Sequence, residues 1–466
     1  MFYSIIDCKK SLLLQPFPCD IMKPKKSKID PQGNLFYVRL EMICDPDHEL
    51  SQLAKRVDWS GLEDQFEPLY SEKGAPGVTI RMMSGLTMLQ SLYSLSEDQV
   101  VDRWPENPYW QHLCGETFFR NVKPIDRSGL GRWRKRIGEE GLERLLAETI
   151  RLGVEVEAVK PSSLKRVSVD TTVQPKNIAH PTDSKLLNRS RERLVSLAVK
   201  FSVKLRQTYR RNGPRAVMMA GRYAHARQFK RMKRQVKKLH TWSGRTVRDL
   251  RRKLENQQNI LVHFEEELSK AERLLAQQIK DKNKLYSLHE PHVVCIAKGK
   301  AHKKYEFGSK ASVTVTNREC FVVGMMGLPG NPYDGHTLDE ALKQTERLTG
   351  QKVERAYVDR GYKGHGVTDT QVFISGQRRG ITPTIKKELR RRSAVEPIIG
   401  HQKSEGRLDR NFLRGVFGDK ANALLAGIGH NLRAILRRLR IFFVWILVVY
   451  RSEKASPVVH LALVGV

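Results

Sequence analysis

The sequence is short of acidic residues and paired cysteines, and it lacks a long uninterrupted apolar run. It has 83 Lys and Arg against 50 Asp and Glu, which gives a formal net charge of +33. An excess of this size favours polyanionic partners, among which nucleic acid is the commonest. Charge alone does not separate an enzyme from a passive binding protein. The 466 residues suffice for two or three compact domains.

The six cysteines include no CxxC pair and no partnered His motif. This pattern argues against a zinc site and is typical of ordinary thiols in a reducing compartment. The groups that could carry chemistry are therefore the basic residues and the carboxylates.

The two ends of the chain carry no recognisable targeting or membrane signal. Residues 1–21 lack the charged, apolar and small-residue progression of a signal peptide, and residues 1–44 are expected to be a poorly ordered extension. The apolar run at 441–450 has ten residues, whereas a spanning helix needs about 20. We therefore predict no membrane segment and interpret residues 441–466 as an apolar C-terminal tail that is buried or docks.

Residues 45–150 are predicted to form a helical N-terminal domain that binds DNA. Apolar side chains such as Met82, Leu86 and Leu89 recur near helical spacing. A second helix is predicted after Ser128, with a basic run and one aromatic residue that would suit the major groove of DNA. The same run also fits a solvated basic face on which the aromatic side chain packs inward. The residues of the run are Arg132, Trp133, Arg134, Lys135 and Arg136.

Residues 164–200 and 290–440 are predicted to form one mixed α/β domain that an insertion splits in two. Its segments show the polar and apolar alternation of strands, or short apolar runs, and a capping-box pattern opens a helix. Strands, a hairpin, a helix and a further strand in this order favour a mixed sheet. The predicted elements are strands at 164–170, 311–316, 320–326 and 353–359 and a helix from Thr337.

The insertion, residues 201–289, combines a basic stretch with a heptad-like seam. From Lys200 to Lys253 there are 19 Lys or Arg and a single acid, Asp249. A solvated helix face would mix charges of both signs, so the pattern favours contacts with DNA phosphates, which fix position without reading sequence. Leucines then recur every seven residues from position 254 to 275, as in a helical hairpin or a helix that binds a partner. The candidate phosphate contacts are Arg227, Lys230, Arg231, Lys233, Arg234, Lys237 and Lys238.

Two aspartates stand in matching contexts. Asp170 ends the first predicted strand and Asp359 ends the last, so each would point into a cleft at the edge of the sheet. Phosphodiester chemistry needs charge neutralisation and an activated oxygen, which two metal ions about 4 Å apart supply, and Mg²⁺ prefers carboxylate oxygens. Either aspartate alone would be interpreted as a turn residue; the repeated context favours a metal site.

Glu396 is the third candidate carboxylate. At about 100° per residue, Arg392 and Lys403 would lie within about 40° of one another and of Glu396 around a helix. A carboxylate flanked by two cations suits a metal that faces a scissile phosphate. The alternative is that Ser393 and Glu396 form a capping box, with Pro397 in the first turn, where its missing N–H matters little.

Several segments of the chain together resemble bacterial insertion-sequence transposases of the insertion-sequence-five family. They read VDTTVQPKNI at 169–178 with PTDSKL at 181–186, KYEFGSK at 304–310, VDRGY at 358–362, and VEP at 395–397 with GRLDRN at 406–411. The resemblance extends from around Asp45 to around Arg440, and the segments are specific in combination rather than singly.

The resemblance implies an RNase-H-like catalytic domain with an Asp-Asp-Glu triad on two divalent metal ions, Mg²⁺ or Mn²⁺. The triad would be Asp170, Asp359 and Glu396, with Arg392 and Lys403 at the arginine and lysine positions of the family signature. Leu389 stands where the family has a tyrosine, a departure that affects the tyrosine's contact with DNA and not the metal site.

The activity that the resemblance implies is transposition, in which strands are hydrolysed at the element ends and a 3′ hydroxyl then attacks target DNA. The implied partners are double-stranded DNA, both the inverted element ends and the target, and further copies of the chain in a homodimer or larger synaptic complex. The implied location is the bacterial cytoplasm, at the nucleoid. The residues leave open an inactive or domesticated DNA-binding derivative, an assembly protein that uses the heptad region, and a nuclease that joins no strands.

Overall fold

The computed structural model describes residues 21–22, 38–71, 75–278, 280–297 and 304–454. Most of the predicted N-terminal extension, and residues 455–466 of the predicted C-terminal tail, lie outside the described residues. Within them, helices share a hydrophobic core with a mixed six-stranded sheet, and a helical bundle has hydrophobic clusters of its own.

The N-terminal region is helical, as its apolar periodicity predicts. The helices are α1 (Leu40–Ile43), α2 (Glu49–Arg56), α3 (Trp59–Phe66), α4 (Ile80–Leu92), α5 (Glu97–Arg103), α6 (Pro108–Leu113) and α7 (Gly129–Glu155), and the two-residue strands β1 (Ile21–Met22) and β2 (Ala75–Pro76) pair in parallel. Trp104 and Leu86 are fully buried, and Ser96 and Gln99 form a capping box that starts α5. α7 kinks at Gly138, where φ is +66°, a backbone region that glycine tolerates.

Six strands form the mixed sheet. They are β3 (Arg166–Pro175), β4 (Val294–Ala297), β5 (Tyr305–Thr316), β6 (Val322–Leu328), β7 (Arg355–Val358) and β8 (Gln371–Ile374). β3 is central, with β5 antiparallel on one side and β7 parallel on the other; β8 extends the sheet beyond β7, and β4 and β6 both pair with β5. The predicted hairpin is confirmed as β5 and β6. Val167 and Val169 of β3 are fully buried.

The three helices of the insertion and the helix that precedes them form a bundle of four. They are α8 (Asp183–Lys200), α9 (Asn212–His225), α10 (Phe229–Leu254) and α11 (Gln258–Ala276). The predicted heptad seam packs inside this bundle, where Leu254 and Leu268 are fully buried, so its leucines form a hairpin within the chain. α8, which we expected to belong to the α/β part up to residue 200, packs in the same bundle through Leu194 and Ala198.

Four further helices complete the chain. They are α12 (Asp334–Thr349), α13 (Pro383–Arg391), α14 (Val395–Glu405) and α15 (Gly415–Lys454). α12 begins three residues before the predicted start, because the Thr337 hydroxyl donates to Asp334 O at 2.8 Å inside the first turn instead of capping the helix. The apolar run at 441–450 continues α15 without a break.

One hydrophobic core joins the N-terminal helices to the sheet. α15 packs on α4, α7 and β6, and the buried side chains of these elements form a single cluster. In the part of the chain that the structure describes, no helix has the length and apolarity needed to cross a membrane.

Candidate active site and DNA-binding surface

Asp170 and Asp359 lie at corresponding places on neighbouring parallel strands. In the register of β3 and β7, Ser168 pairs with Tyr357, so each aspartate stands two residues beyond the last pair. Asp359 directly follows β7, as predicted. The prediction that Asp170 ends a strand is wrong, because β5 continues to pair with β3 as far as Pro175. Asp170 instead marks the point at which the β7 partner ends and the sheet edge opens.

The carboxylate of Asp170 lies in a partly enclosed and negatively charged environment. Its side chain is 17% exposed. Burial, followed by the neighbouring charge of Asp359 and a smaller effect of Glu396, raises the pKa of Asp170 to about 6. The Thr171 N–H, which donates to Asp170 Oδ1 at 2.8 Å, and the Arg392 guanidinium lower that pKa only in part. Such a pair of repelling carboxylates is a donor set that a bound divalent cation would neutralise.

Glu396 is joined to Asp170 through an arginine. Arg392 Nη1 lies 3.6 Å from Asp170 Oδ2, and Arg392 Nη2 lies 3.5 Å from Glu396 Oε1. The arginine side chain is 13% exposed, whereas that of Glu396 is 67% exposed. The predicted proximity of Arg392 and Glu396 is therefore present, and Lys403 lies in the last turn of the same helix, α14.

The capping-box alternative for Glu396 is not formed. α14 begins at Val395 after a 3₁₀ turn at Arg392–Ala394, and no side chain caps its start. The Ser393 hydroxyl donates to Arg390 O at 2.9 Å. Glu396 thus has no capping role here, and its carboxylate faces Arg392.

The three candidate carboxylates provide the oxygen ligands that Mg²⁺ and Mn²⁺ prefer. Among the described residues, no three carboxylate, imidazole or thiol groups form a compact metal-binding cluster; the Arg392 guanidinium stands between Asp170 and Glu396. The charge of Asp359 contributes to the raised pKa of Asp170. The carboxylate oxygens of these two aspartates nevertheless fit a divalent cation.

Further side chains reach this site that the sequence did not single out. Asp334, the first residue of α12, accepts hydrogen bonds from the Thr171 hydroxyl and from Lys310 Nζ, both at 2.9 Å. Tyr362 is fully buried beside the aspartates. Thr171, Lys310 and Tyr362 stand within the motifs that carry the family resemblance, but Asp334 was missed because the helix start was placed at Thr337.

Leu389, which stands where the resemblance predicts a tyrosine, belongs to a small apolar cluster. It packs with Tyr357, Phe373 and Ile385 on the outer side of β7 and β8. The adjacent Glu388 pairs with arginines on β3 and β7 and accepts from the Tyr357 hydroxyl. Leu389 thus has a packing role in this fold.

The basic run at the start of α7 is only partly available to DNA. Trp133 is 2% exposed and packs edge-on against Phe66, with ring centroids 5.5 Å apart. It is therefore a core residue and is withdrawn from the candidate DNA contacts. Arg134 pairs with Glu97, and Arg136 lies over the Tyr70 ring at 5.2 Å. Arg132 and Lys135 are the exposed cations of this run.

The basic stretch of the insertion divides into two halves. All seven candidate phosphate contacts are exposed, and across the described ranges none of them pairs with an acid. Lys230, Arg234, Lys237 and Lys238 fall within about 100° of one side of α10. By contrast, the cations at the other end of α10, Arg251, Arg252 and Lys253, form ion pairs with Glu265, Glu272 and Asp249.

Two family models match the chain. Residues 38–136 match "Transposase domain (DUF772)", and residues 287–432 match "Transposase DDE domain". The second match contains Asp359 and Glu396 but not Asp170. The bundle lies between the two matched segments. The chain belongs to the DDE-type transposase family.

A curated relative covers part of the chain. The "Uncharacterized protein ORF8 in nfe locus" of Rhizobium meliloti is 45% identical over 208 residues, which make up 45% of this chain and the whole of that protein. No solved structure matches the chain.

Proposed function

We propose that this protein is a DNA transposase that binds the terminal inverted repeats of an insertion sequence and catalyses metal-dependent strand cleavage and strand transfer. The observation that carries the proposal is the placement of Asp170 and Asp359 on adjacent parallel strands, with Glu396 linked to Asp170 through Arg392. The subfamily we propose is the insertion-sequence-five family, on the motifs quoted above.

The strand order supports an RNase-H-like catalytic domain. Read across the sheet, the strands run β6, β5, β3, β7, β8, with β3, β7 and β8 parallel and β5 antiparallel to its neighbours. The first strand of this sheet in chain order, β3, is thus central and carries Asp170. The two aspartates meet at the edge where the parallel strands β3 and β7 part, and α14 brings Glu396 to the same edge.

Asp170, Asp359 and Glu396 would hold two Mg²⁺ or Mn²⁺ ions, which supply charge neutralisation and an activated oxygen nucleophile when bound. Arg392, which lies 3.6 Å from Asp170, would bind a phosphate oxygen beside these carboxylates and stabilise developing negative charge. Lys403, at the far end of α14, would contact the DNA backbone near the same site.

DNA would be held by two surfaces. The exposed cations Arg227, Lys230, Arg231, Lys233, Arg234, Lys237 and Lys238 of the insertion would bind phosphates, and Arg132 and Lys135 would contribute from the N-terminal region. Because two element ends must be brought together, we propose that the protein acts as a homodimer or a larger assembly at the bacterial nucleoid.

The experiment is cleavage and joining of a labelled duplex that carries the element's terminal repeats, with and without Mg²⁺. We compare the wild-type protein with Asp170→Asn, Asp359→Asn and the control Asp339→Asn, an exposed acid on α12. We expect metal-dependent cleaved and joined products that the first two variants lose and the control retains. Near-normal cleavage by Asp359→Asn would overturn the triad, and binding without cleavage by the wild type would mean an inactive DNA-binding derivative.

A further inference from the structure

Asp334 connects to the segment that carries Asp170. Its Oδ1 accepts from the Thr171 hydroxyl at 2.9 Å, and the Thr171 N–H donates to Asp170 Oδ1 at 2.8 Å. The side chain and the backbone of one threonine therefore link the two carboxylates. The hydrogen bond to Asp334 fixes the rotamer of Thr171, whose backbone N–H orients Asp170.

Asp334 also borders the segment that carries Asp359. The Gly361 N–H donates to Asp359 Oδ1 at 2.8 Å. A Cβ at position 361 would lie 3.0 Å from Asp359 Oδ1 and 3.4 Å from Asp334 Oδ2, so the two carboxylates flank this glycine closely. The Tyr333 hydroxyl donates to Lys363 O at 2.8 Å, which fastens the start of α12 to the turn after Asp359.

The charge of Asp334 is balanced within the same contact. Lys310 Nζ donates to Asp334 Oδ1 at 2.9 Å and to Pro332 O at 2.8 Å, and its side chain is 15% exposed. A fourth bare carboxylate in this cleft would add to the repulsion that raises the pKa of Asp170. Paired with Lys310, Asp334 contributes an acceptor without a net negative charge.

Tyr362 is a buried neighbour of these carboxylates. Its side chain is fully buried, and its hydroxyl lies beside Thr171 without a hydrogen bond of acceptable geometry among the described residues. Burial, together with the charges of Asp170, Asp334 and Asp359, raises the pKa of Tyr362. The phenol is therefore protonated, and its buried hydroxyl is a polar donor close to the charges of these carboxylates.

We propose that Asp334 is a positioning residue of the active site, which holds Thr171 and the turn after Asp359 in the arrangement that lets both aspartates bind metal. The inference rests on the proposed function. Asp334 is not assigned as a metal ligand, since Thr171 and Lys310 already donate to its Oδ1. Groups that orient metal ligands in this way typically change metal affinity by about 10–100-fold when they are removed.

The test measures metal binding as well as activity in the full-length protein. We compare Thr171→Val, which removes the hydroxyl donor at nearly constant volume, with Thr171→Ser, which keeps it, and with Asp334→Asn, which keeps an acceptor but loses the charge that balances Lys310. Asp339→Asn on the same helix is the control. Mn²⁺ binding is followed by calorimetry, and the Mg²⁺ concentration for half-maximal strand cleavage is measured in parallel.

We expect Thr171→Val and Asp334→Asn to weaken Mn²⁺ binding and raise the Mg²⁺ requirement by about 10–100-fold, and Thr171→Ser and Asp339→Asn to remain within about threefold of the wild type. If Asp334→Asn and Thr171→Val melt at a lower temperature than the wild type in EDTA but need no more metal, Asp334 only stabilises the fold. That result would overturn the inference. Loss of Mn²⁺ binding in Asp334→Asn as complete as in Asp359→Asn, with Thr171→Val unaffected, would make Asp334 a ligand and overturn it too. If the wild type neither binds Mn²⁺ nor cleaves DNA, the proposed function fails and the inference fails with it. If the wild type does both, and Thr171→Val and Asp334→Asn have the same metal affinity and metal requirement as the wild type, only the inference fails.

Discussion

The Arg392 guanidinium lies 3.6 Å from the Asp170 carboxylate, yet the pKa of that carboxyl is still raised to about 6. The arginine therefore does not fully offset the burial of Asp170 and its repulsion by Asp359. Without a bound cation, the charged form of Asp170 is a cost to the folded state, as at many sites that are tuned for ligand binding rather than for stability.

This cost predicts a pH-dependent gain of stability in Asp170→Asn. The folded-state pKa of Asp170 is above the ordinary value of 3.8, so the folded protein binds more protons than the unfolded chain between these values and loses stability as the pH rises through this window. In EDTA, the variant should be more stable than the wild type at pH 8 by about 1–3 kcal/mol, and the difference should shrink toward pH 4. Urea unfolding at both pH values measures it; a difference that does not depend on pH would contradict the assignment.

The two ends of α10 differ in their ion pairs, and this difference predicts which cations bind DNA. Replacing Lys230, Arg234, Lys237 and Lys238 by Gln should weaken binding to any duplex sequence. The affinity falls as the salt concentration rises, and each lost phosphate contact should make the negative slope of log K against log salt concentration shallower by about 0.9. Fluorescence anisotropy over a series of salt concentrations measures this slope.

The control for this variant removes the same number of exposed charges elsewhere. Lys123, Lys160, Lys343 and Lys352 are all exposed and lie outside the bundle. Their replacement by Gln changes the net charge equally, so a loss of affinity that reflects net charge alone would be the same in both proteins. An unchanged salt slope in the bundle variant would argue against phosphate contacts by α10.

A buried ion-pair cluster joins the residues that follow β3 and the insertion to α15. Lys176, just after β3, lies 2.5 Å from Asp419 of α15 and 3.4 Å from Glu290, and all three side chains are at most 4% exposed. Lys176→Met should lower the unfolding free energy by about 3 kcal/mol, because it removes the lysine that contacts both buried carboxylates. His292, 3.1 Å from Asp419 and 3.5 Å from Glu290, remains beside them. The control Lys420→Met removes a more exposed lysine, paired with Glu139, and should cost about 1 kcal/mol or less. Equal losses in denaturant unfolding would refute this account.

The candidate site could be predicted from local sequence only where a residue follows a strand or shares a helix face. Asp359 after β7 and Arg392 one helical turn before Glu396 are features of that kind. Trp133 could not be placed, because a basic helix with one aromatic residue looks the same whether the ring packs on Phe66 or faces DNA. Asp334 could not be found because its partners, Thr171 and Lys310, are more than twenty residues away along the chain and meet it only through the sheet.

The sequence and the structure suggest different roles for position 389, and this difference can be tested. Its position in the family signature indicates a lost contact with DNA, whereas the structure packs it against Tyr357, Phe373 and Ile385. Leu389→Tyr should therefore overfill this cluster and destabilise the fold by about 1–3 kcal/mol without increasing strand cleavage. Leu389→Met, which conserves volume, should cost less than about 1.5 kcal/mol. If the tyrosine variant instead cleaves DNA faster at unchanged stability, the side chain at 389 faces the DNA and its packing role is secondary.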